Sequence, residues 1–349
     1  MFSMPEMPMM PPVDLKENYL KFLRHEKTPM IPNYLVSNAG LGAGAVADPW
    51  FECGPVAGGY DGFGVLWDAP VSGGGAPMPR PNMFVLDDIT QWREKVKFPN
   101  VEEFNWEEKA KQDLAGVDRS KQLVDYGIAH GVFDRLTILM GFEEGLMAML
   151  TDPEEVNDFF TAVTDYKIKH LDYVAKYYQP DTVTYADDMA TERDLFISPE
   201  TYRKLIKPHH KRFCDACYER GILPVLHCCG KAEAIVEDMI DCGFVAWNNV
   251  QPSNDICRII EQYGERIGLI GGYDSNGKPA RVDVTQEEVD TEIHRCLDTY
   301  GKYGYGYAFF GFRYVNSLDF ELFMRNMGAI IEESMKYSFE LMAKNMGQQ

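Results

Sequence analysis

The chain has 349 residues, 45% hydrophobic and 25% charged, with a formal net charge of −20. This balance fits a soluble globular protein and argues against nucleic acid and anionic membrane surfaces as partners. No apolar run is long enough to cross a bilayer, and Met1 to Pro12 lacks the basic start and apolar centre of a secretory signal. The expected setting is a reducing cytoplasm, with the eight cysteines free or metal-bound.

Residues 1–14 read as a loose arm and Leu15 to Arg24 as a short helix. Thr28 to Asn38 reads as a first strand ending in polar residues. The stretch 40–83 is dense in glycine and too long for a simple connection, so it reads as an insertion loop. Leu86 to Val96 reads as a helix ended by Phe98-Pro99. From there strand and helix patterns alternate. Gln122 to Ile128 is an apolar strand followed by the polar His130, and Phe133 to Leu150 is a helix. Asp152-Pro153-Glu154-Glu155 is a strong helix start, with a capping Asp and Pro in the first turn. That helix runs to about Tyr178, with Val156, Phe159, Phe160 and Val163 at helical spacing.

Asp181 to Ala186 is a strand ending in Asp187-Asp188. Ser198-Pro199-Glu200 opens a helix to about Arg220. On it, His209-His210 read as surface residues and Cys214-x-x-Cys217 as structural. Ile222 to His227 is the next strand, then Lys231 to Cys242 a helix. Phe244 to Trp247 is a strand ending in Asn248-Asn249, and Asp255 to Tyr263 a helix. Ile267 to Ile270 is a strand ending in Gly271-Gly272-Tyr273-Asp274, and Gln286 to Tyr300 a helix. Tyr307 to Phe310 is a strand ending in Gly311-Phe312-Arg313. Leu318 to Asn345 closes the chain as a helix.

Alternating β and α units at this spacing predict a parallel sheet with right-handed crossovers. Seven or eight strands fit a closed α/β fold, a (β/α)8 TIM-type barrel with an N-terminal helical and loop elaboration. The expectation is one domain over 1–349. A barrel gathers the polar strand ends on one face. These are Asn38, His130, Asp187, Asp188, His227, Cys229, Asn248, Asn249, Tyr273, Asp274 and Arg313.

Within this set Leu226-His227-Cys228-Cys229-Gly230 stands out. Side chains alternate along a strand, so His227 and Cys229 share a face. Imidazole plus thiolate is a zinc-type ligand pair. The competing reading is a buried cysteine pair beside a satisfied histidine.

Four segments resemble the uroporphyrinogen decarboxylase-like superfamily. Within it the chain is similar to the corrinoid-linked methyltransferases that demethylate methyl ethers or methylate a thiol. The first is Leu226 to Gly230, similar to that family's His-x-Cys-Gly zinc segment. The second is Tyr60-Asp61-Gly62-Phe63-Gly64-Val65-Leu66-Trp67, similar to a segment of the demethylase-type members. The third is Leu86 to Arg93 with Lys97-Phe98-Pro99. The fourth is the order of strands and helices from Thr28 onward. The resemblance implies a single barrel, a bound zinc and a separate corrinoid protein docking at the barrel mouth.

It also implies the chemistry. A methyl ether is a poor electrophile because its leaving oxygen is basic, and a Lewis acid stabilises the developing charge. His227 and Cys229 are the expected zinc ligands, with Asp187, Asp188 or Cys228 as the third. Asp187, Asp188 and Arg313 are the candidate catalytic groups, the carboxylates for proton delivery and Arg313 to orient an acidic substrate group. Asn38, Phe63, Trp67, His130, Asn249 and Tyr273 are candidate substrate-binding residues, with Phe63 and Trp67 as an aromatic wall. The substrate class is a small methylated compound, a methoxylated aromatic first.

Two departures weigh on the alternatives. Thiol-methylating members use a late third cysteine, and the strand Tyr307 to Arg313 has none. Decarboxylases hold tetrapyrrole carboxylates with arginines, and Asn33 to Gly40 has none. Methylcorrinoid:thiol transfer, decarboxylation and a non-catalytic corrinoid- or metal-binding barrel are the rivals. Blander roles compete residue by residue: Asp187-Asp188 capping the following helix, Arg313 pairing with a structural carboxylate, Phe63 and Trp67 in the core.

Overall fold

The structure is a computed structural model that describes residues 13–42, 54–71, 75, 77–315 and 318–346. Most of the expected arm (1–12), and 43–53, 72–74 and 76 of the expected insertion loop, lie outside the described residues. In chain order the strands are β1 (Asn38–Gly42), β2 (Gly59–Tyr60), β3 (Leu66–Asp68), β4 (Met78–Pro79), β5 (Leu123–Ile128), β6 (Thr182–Ala186), β7 (Leu223–His227), β8 (Ala246–Val250), β9 (Gly268–Gly272) and β10 (Tyr307–Phe310). Seven of them, β1 and then β5 to β10, form one parallel sheet in that order. The two edges meet at one bridge, Asn33 with Phe309, where the Phe309 N–H donates to the Pro32 carbonyl at 2.8 Å. The result is the expected TIM-type barrel, with seven continuous staves and a one-residue seam.

The first stave departs from the sequence reading. The expected strand Thr28 to Asn38 is interrupted by a helical turn, Tyr34–Ser37, because the Asn33 side chain accepts from the Leu35 and Val36 N–H groups and starts a helix. The strand begins at Asn38, where it was expected to end. Asn38 therefore pairs with Leu123 at the amino end of β5. It lies at the floor of the barrel, and its Nδ2 donates to the Tyr34 carbonyl at 2.9 Å.

The floor is closed from within the chain. Asp14 caps the helix Leu15–Leu23 by accepting from the Glu17 N–H. Tyr19, Phe22 and Leu23 on that helix pack against Leu123, Val225, Ala246, Ile270 and Ala308. Above them Asp125 sits inside the barrel. It accepts from the Tyr34 hydroxyl (2.6 Å), Thr182 (2.8 Å) and Thr184 (2.9 Å). Burial pushes its carboxyl up, while these donors pull it down.

Helices cover the outside. The expected helix Phe133 to Leu150 is two, Val132–Met140 and Phe142–Thr151, broken at Gly141. An unforeseen helix, Trp106–Leu114, buries Trp106 against His170 and Tyr173. The segment after Ser198 carries a π turn at Tyr202–Ile206 before the helix Lys207–Glu219. His209 and His210 on it are buried, contrary to the surface reading. The helix packs on Pro153–Tyr177, so His209 meets Thr164 and Asn157 (both 3.2 Å) and His210 meets Asp187 (2.9 Å). Among the described residues no helix is long and apolar enough to cross a membrane.

Two buried imidazoles make stability pH-dependent. Burial, with the nearby Lys167 charge, takes His170 down to about 3. Burial, with Arg212 and His210, takes His209 down to about 4. Both titrate near 6.5 in an unfolded chain, so stability is complete above ~6.5 and is lost as pH falls toward those values. The urea midpoint is expected to drop between pH 7.5 and pH 5, and to drop less in His170→Gln. Equal drops in the two proteins would show that His170 plays no part.

Candidate metal centre

The register of β6 and β7 builds the centre. Ala186 lies beside His227, and the Asp187 N–H donates to the His227 carbonyl at 3.0 Å. Alternation then sorts the side chains. Along β6, Val183, Tyr185 and Asp187 face the helices, while Thr182, Thr184 and Asp188 face inward. Along β7, Leu226 and Cys228 face the helices, and Val225, His227 and Cys229 face inward. Burial follows the same parity: Asp187 and Cys228 are fully buried, while Asp188, His227 and Cys229 are partly open.

Asp188, His227 and Cys229 converge, with one ligand-type atom from each all within 4.8 Å of one another. The His227 Nε2 to Cys229 Sγ distance is 3.5 Å. Zinc bonds of ~2.05 Å to nitrogen and ~2.3 Å to sulfur at a tetrahedral angle span about 3.5 Å between the two donors. The Cys229 N–H donates to Asp188 Oδ1 at 2.6 Å, which holds that carboxylate against the Cys229 residue. A soft sulfur, a borderline imidazole and a carboxylate within these distances fit zinc with an open position.

Electrostatics point the same way. Burial lowers the His227 pKa, but the Cys229 sulfur, the Asp188 carboxylate and Asn248 outweigh it and raise it to about 10. Burial raises Asp188, with His227 opposing. The trio favours a positive charge at its centre.

A second layer orients the ligands. His227 Nδ1 lies 3.2 Å from Asn248 Oδ1, which leaves Nε2 facing the centre. Asn249 Nδ2 donates to Cys229 Sγ at 3.0 Å. Both asparagines reach inward because β8 shifts register between Asn248 and Val250 and Asn249 adopts φ +64°. The turn after the ligands is fixed by Gly230, at φ +86°. A Cβ there would stand 2.5 Å from the Thr191 carbonyl oxygen. Gln251 and Asn254 bond the Gly230 N–H and carbonyl, both at 2.9 Å.

Two of the three candidates for third ligand are placed elsewhere. Asp187 accepts from the Asp134 N–H at 2.9 Å and from His210 Nε2 at 2.9 Å. It caps the helix Val132–Met140, not the helix that follows it, and its carboxylate lies where a Cβ on Gly131 would be. The Cys228 thiol faces the helix layer, and burial pushes it well up.

The remaining candidates divide. Phe63 is buried against Phe98 and Tyr166, under the Arg135 guanidinium at 3.9 Å, so it is part of the core and not a substrate wall. Trp67 Nε1 donates to Asp61 at 3.0 Å, and its ring lies 5.5 Å from His130. His130 Nδ1 is 3.5 Å from Asp134, whose other oxygen accepts from the Asp188 N–H at 3.1 Å. Trp67 and His130 thus back the centre through Asp134. Tyr273 is buried and donates to the Pro279 carbonyl at 2.9 Å, shaping the loop after β9. Arg313 lies beyond β10 and its charge reaches the Tyr273 hydroxyl. Asn38, on the floor, is not brought to this centre.

Sequence reasoning missed Asp134 and Tyr314. Burial raises the Tyr314 hydroxyl, and the Cys229 charge adds to that rise. The residue after Arg313 at a strand end was the available signal. Asp134 had none, because its role depends on a helix folding back over β6.

Fold and donor set define a β/α barrel with a metal-type centre at the carboxyl ends of its strands. A family model described as uroporphyrinogen decarboxylase (URO-D) matches residues 106–310, and the chain belongs to that family. Two curated relatives, from Methanosarcina barkeri and Methanosarcina barkeri (strain Fusaro / DSM 804), are each named methylcobamide:CoM methyltransferase MtaA. They are 33% and 32% identical over 120 residues, which is 34% of this chain and 34% of their own length. The chain therefore matches about a third of those relatives. A solved structure described as a methyltransferase from Methanosarcina mazei has a TM-score of 0.59 at 16% identity, covering 93% of this chain and 99% of that one. At that identity the likeness speaks for the fold.

Two outcomes check the centre. Asp188→Ala, His227→Ala and Cys229→Ala are each expected to weaken zinc binding by more than a hundredfold, and Asn248→Ala by roughly 10–100-fold, read by competition with a chromophoric chelator. Unchanged affinity in Asp188→Ala would remove it as a ligand. Gly230→Ala is expected to cost about 2 kcal/mol of stability and to weaken zinc binding, read by urea unfolding and the same competition.

Proposed function

We propose that this chain is a corrinoid-linked methyltransferase that takes a methyl group from a small methylated substrate, first a methoxylated aromatic, and passes it to a partner corrinoid protein. The observation that supports this most is the convergence of Asp188, His227 and Cys229 at the barrel mouth. Zinc held there supplies Lewis acidity to the oxygen that leaves when the methyl group departs. The protein's own groups do the rest. Asn248 fixes the imidazole face, and Asn249 withdraws charge from the sulfur by donating to it. Asp134 holds the backbone of Asp188 in place, and His130 in turn leans on Asp134. Tyr314, whose hydroxyl burial and the Cys229 charge hold in the protonated form, is a candidate to deliver a proton to the departing oxygen.

A second reading is methyl transfer from a methylcorrinoid to a thiol, favoured by the name of the two curated relatives. The donor set weighs against it. One thiolate and a carboxylate leave more positive charge on the metal than two thiolates do. That suits polarising an ether more than raising the nucleophilicity of a bound sulfur.

The test is a panel of methoxyaromatics and methylamines with reduced cobalamin as acceptor, followed through the methylcobalamin spectrum. Demethylation of a methoxyaromatic is expected, with a loss of at least about a hundredfold in Asp188→Ala and His227→Ala. No demethylation, alongside transfer from methylcobalamin to a thiol, would reverse the direction.

A further inference from the structure

The helix Phe142–Thr151 leaves one face uncovered among the described residues. Phe142, Leu146 and Leu150 stand four residues apart on it, so they form one stripe along the helix. Leu150 is 70% exposed and Phe142 50%. Two rings from remote segments widen the stripe into a patch. Phe196, 36% exposed on the loop after β6, lies 4.9 Å from Phe142. Phe84, 42% exposed, lies against Gly141, where a Cβ would stand 2.6 Å from its ring.

The patch is seated from below. The Val85 and Leu86 N–H groups both donate to the Leu139 carbonyl at 3.0 Å, which sets Phe84 in place. The buried Phe133 ring stacks on Phe196 at 5.9 Å and meets Phe142 at 6.3 Å. The Phe133 N–H in turn donates to Asp187, on the helix side of β6, at 3.4 Å. The patch therefore continues the helix layer, on the opposite side of β6 from Asp188. It is a second surface, apart from the metal centre.

Large apolar side chains clustered in the open mark interaction sites, whereas scattered ones do not. The charges around the patch say what fits it. Glu143 and Glu144, in the first turn of the helix, are exposed and have no ion partner among the described residues. On the loop that carries Phe196, exposed Glu192 and Asp194 outweigh Arg193. A second copy of this chain would set the same carboxylates against each other, and an anionic bilayer repels them. The stripe runs over about 12 Å, the length of two turns of a helix lying alongside.

We propose that this face docks a protein partner through an amphipathic helix whose apolar stripe is flanked by Lys or Arg. The two apolar stripes pack together, and the flanking cations meet Glu143 and Glu144. The inference does not rest on the methyltransferase reading and stands or falls without it.

The test is fluorescence anisotropy of the full chain with labelled synthetic helices of about 18 residues. One carries a leucine stripe flanked by Lys, one the same stripe flanked by Glu, and one the Lys flanks with Ser in place of Leu. The first is expected to bind about tenfold or more tightly than either control. Phe142→Ser combined with Leu150→Ser is expected to remove its advantage over the Ser helix. Glu143→Lys combined with Glu144→Lys is expected to cut its affinity about fivefold and to flatten its dependence on salt. Leu150→Ser alone, at the most exposed position, is expected to lose about threefold, which keeps the proposal open to test if the apolar double variant unfolds. Urea midpoints and zinc affinity matching the unaltered chain show that a variant keeps its fold and its centre. Equal binding of the three helices, or a preference untouched by both double variants, overturns the proposal. Sedimentation of the unaltered chain as a dimer that the apolar double variant dissociates would give the face to a second copy, and overturns it as well.

Discussion

The register between β6 and β7 is the constraint on which the rest depends. A single hydrogen bond, from the Asp187 N–H to the His227 carbonyl, sets the two strand ends level. Because the side-chain period is two, that setting decides everything beyond it. It puts Asp188 opposite Cys229, close enough for the Cys229 N–H to bond its carboxylate. It sends Asp187 and Cys228 to the other face. A slip of β6 by one residue would exchange the two aspartates, bringing a helix cap to the mouth and Asp188 into the core. On the proposed function, β6–β7 pairing serves the centre as well as the fold.

The same parity shows how much of the centre could be read from the sequence. His227 and Cys229 were legible, because an imidazole and a thiol two apart on a strand share a face. The choice among Asp187, Asp188 and Cys228 stayed open in the sequence reading, although counting back along each strand sorts their faces. Val183 and Tyr185 are the apolar pair of β6, so Asp187 belongs to their face and Asp188 to that of Thr182 and Thr184. The barrel was readable from alternating elements because each helix and strand from Asp181 onward carries its own local signal.

What could not be read was set by distant packing. Asn38 reads as a strand end, since nothing nearby shows that Asn33 starts a helical turn and delays the strand. His209 and His210 follow a proline among charged residues and look exposed. They are buried because two long helices cross there, and because the Asp187 carboxylate needs a partner on its outer side. Phe63 reads as part of a glycine-rich insertion loop. It is in the core because Asp61 folds the hairpin over itself by accepting from the N–H groups of Phe63 and Val65, both at 2.9 Å. In each case the missing information was the identity of a partner remote in sequence.

Charge balance explains the choice of neutral residues behind the centre. With a metal bound, Asp188 and Cys229 would each supply one negative charge, together matching a divalent cation. Carboxylates at 248 and 249 would make the shell over-negative and weaken any Lewis acid held there. Amides orient the same ligands without adding charge, and Asn249 goes further by donating to the sulfur. The carboxylates that do lie nearby, Asp134 and Asp125, are each met by donors: Asp134 by the Asp188 N–H, Asp125 by three hydroxyls.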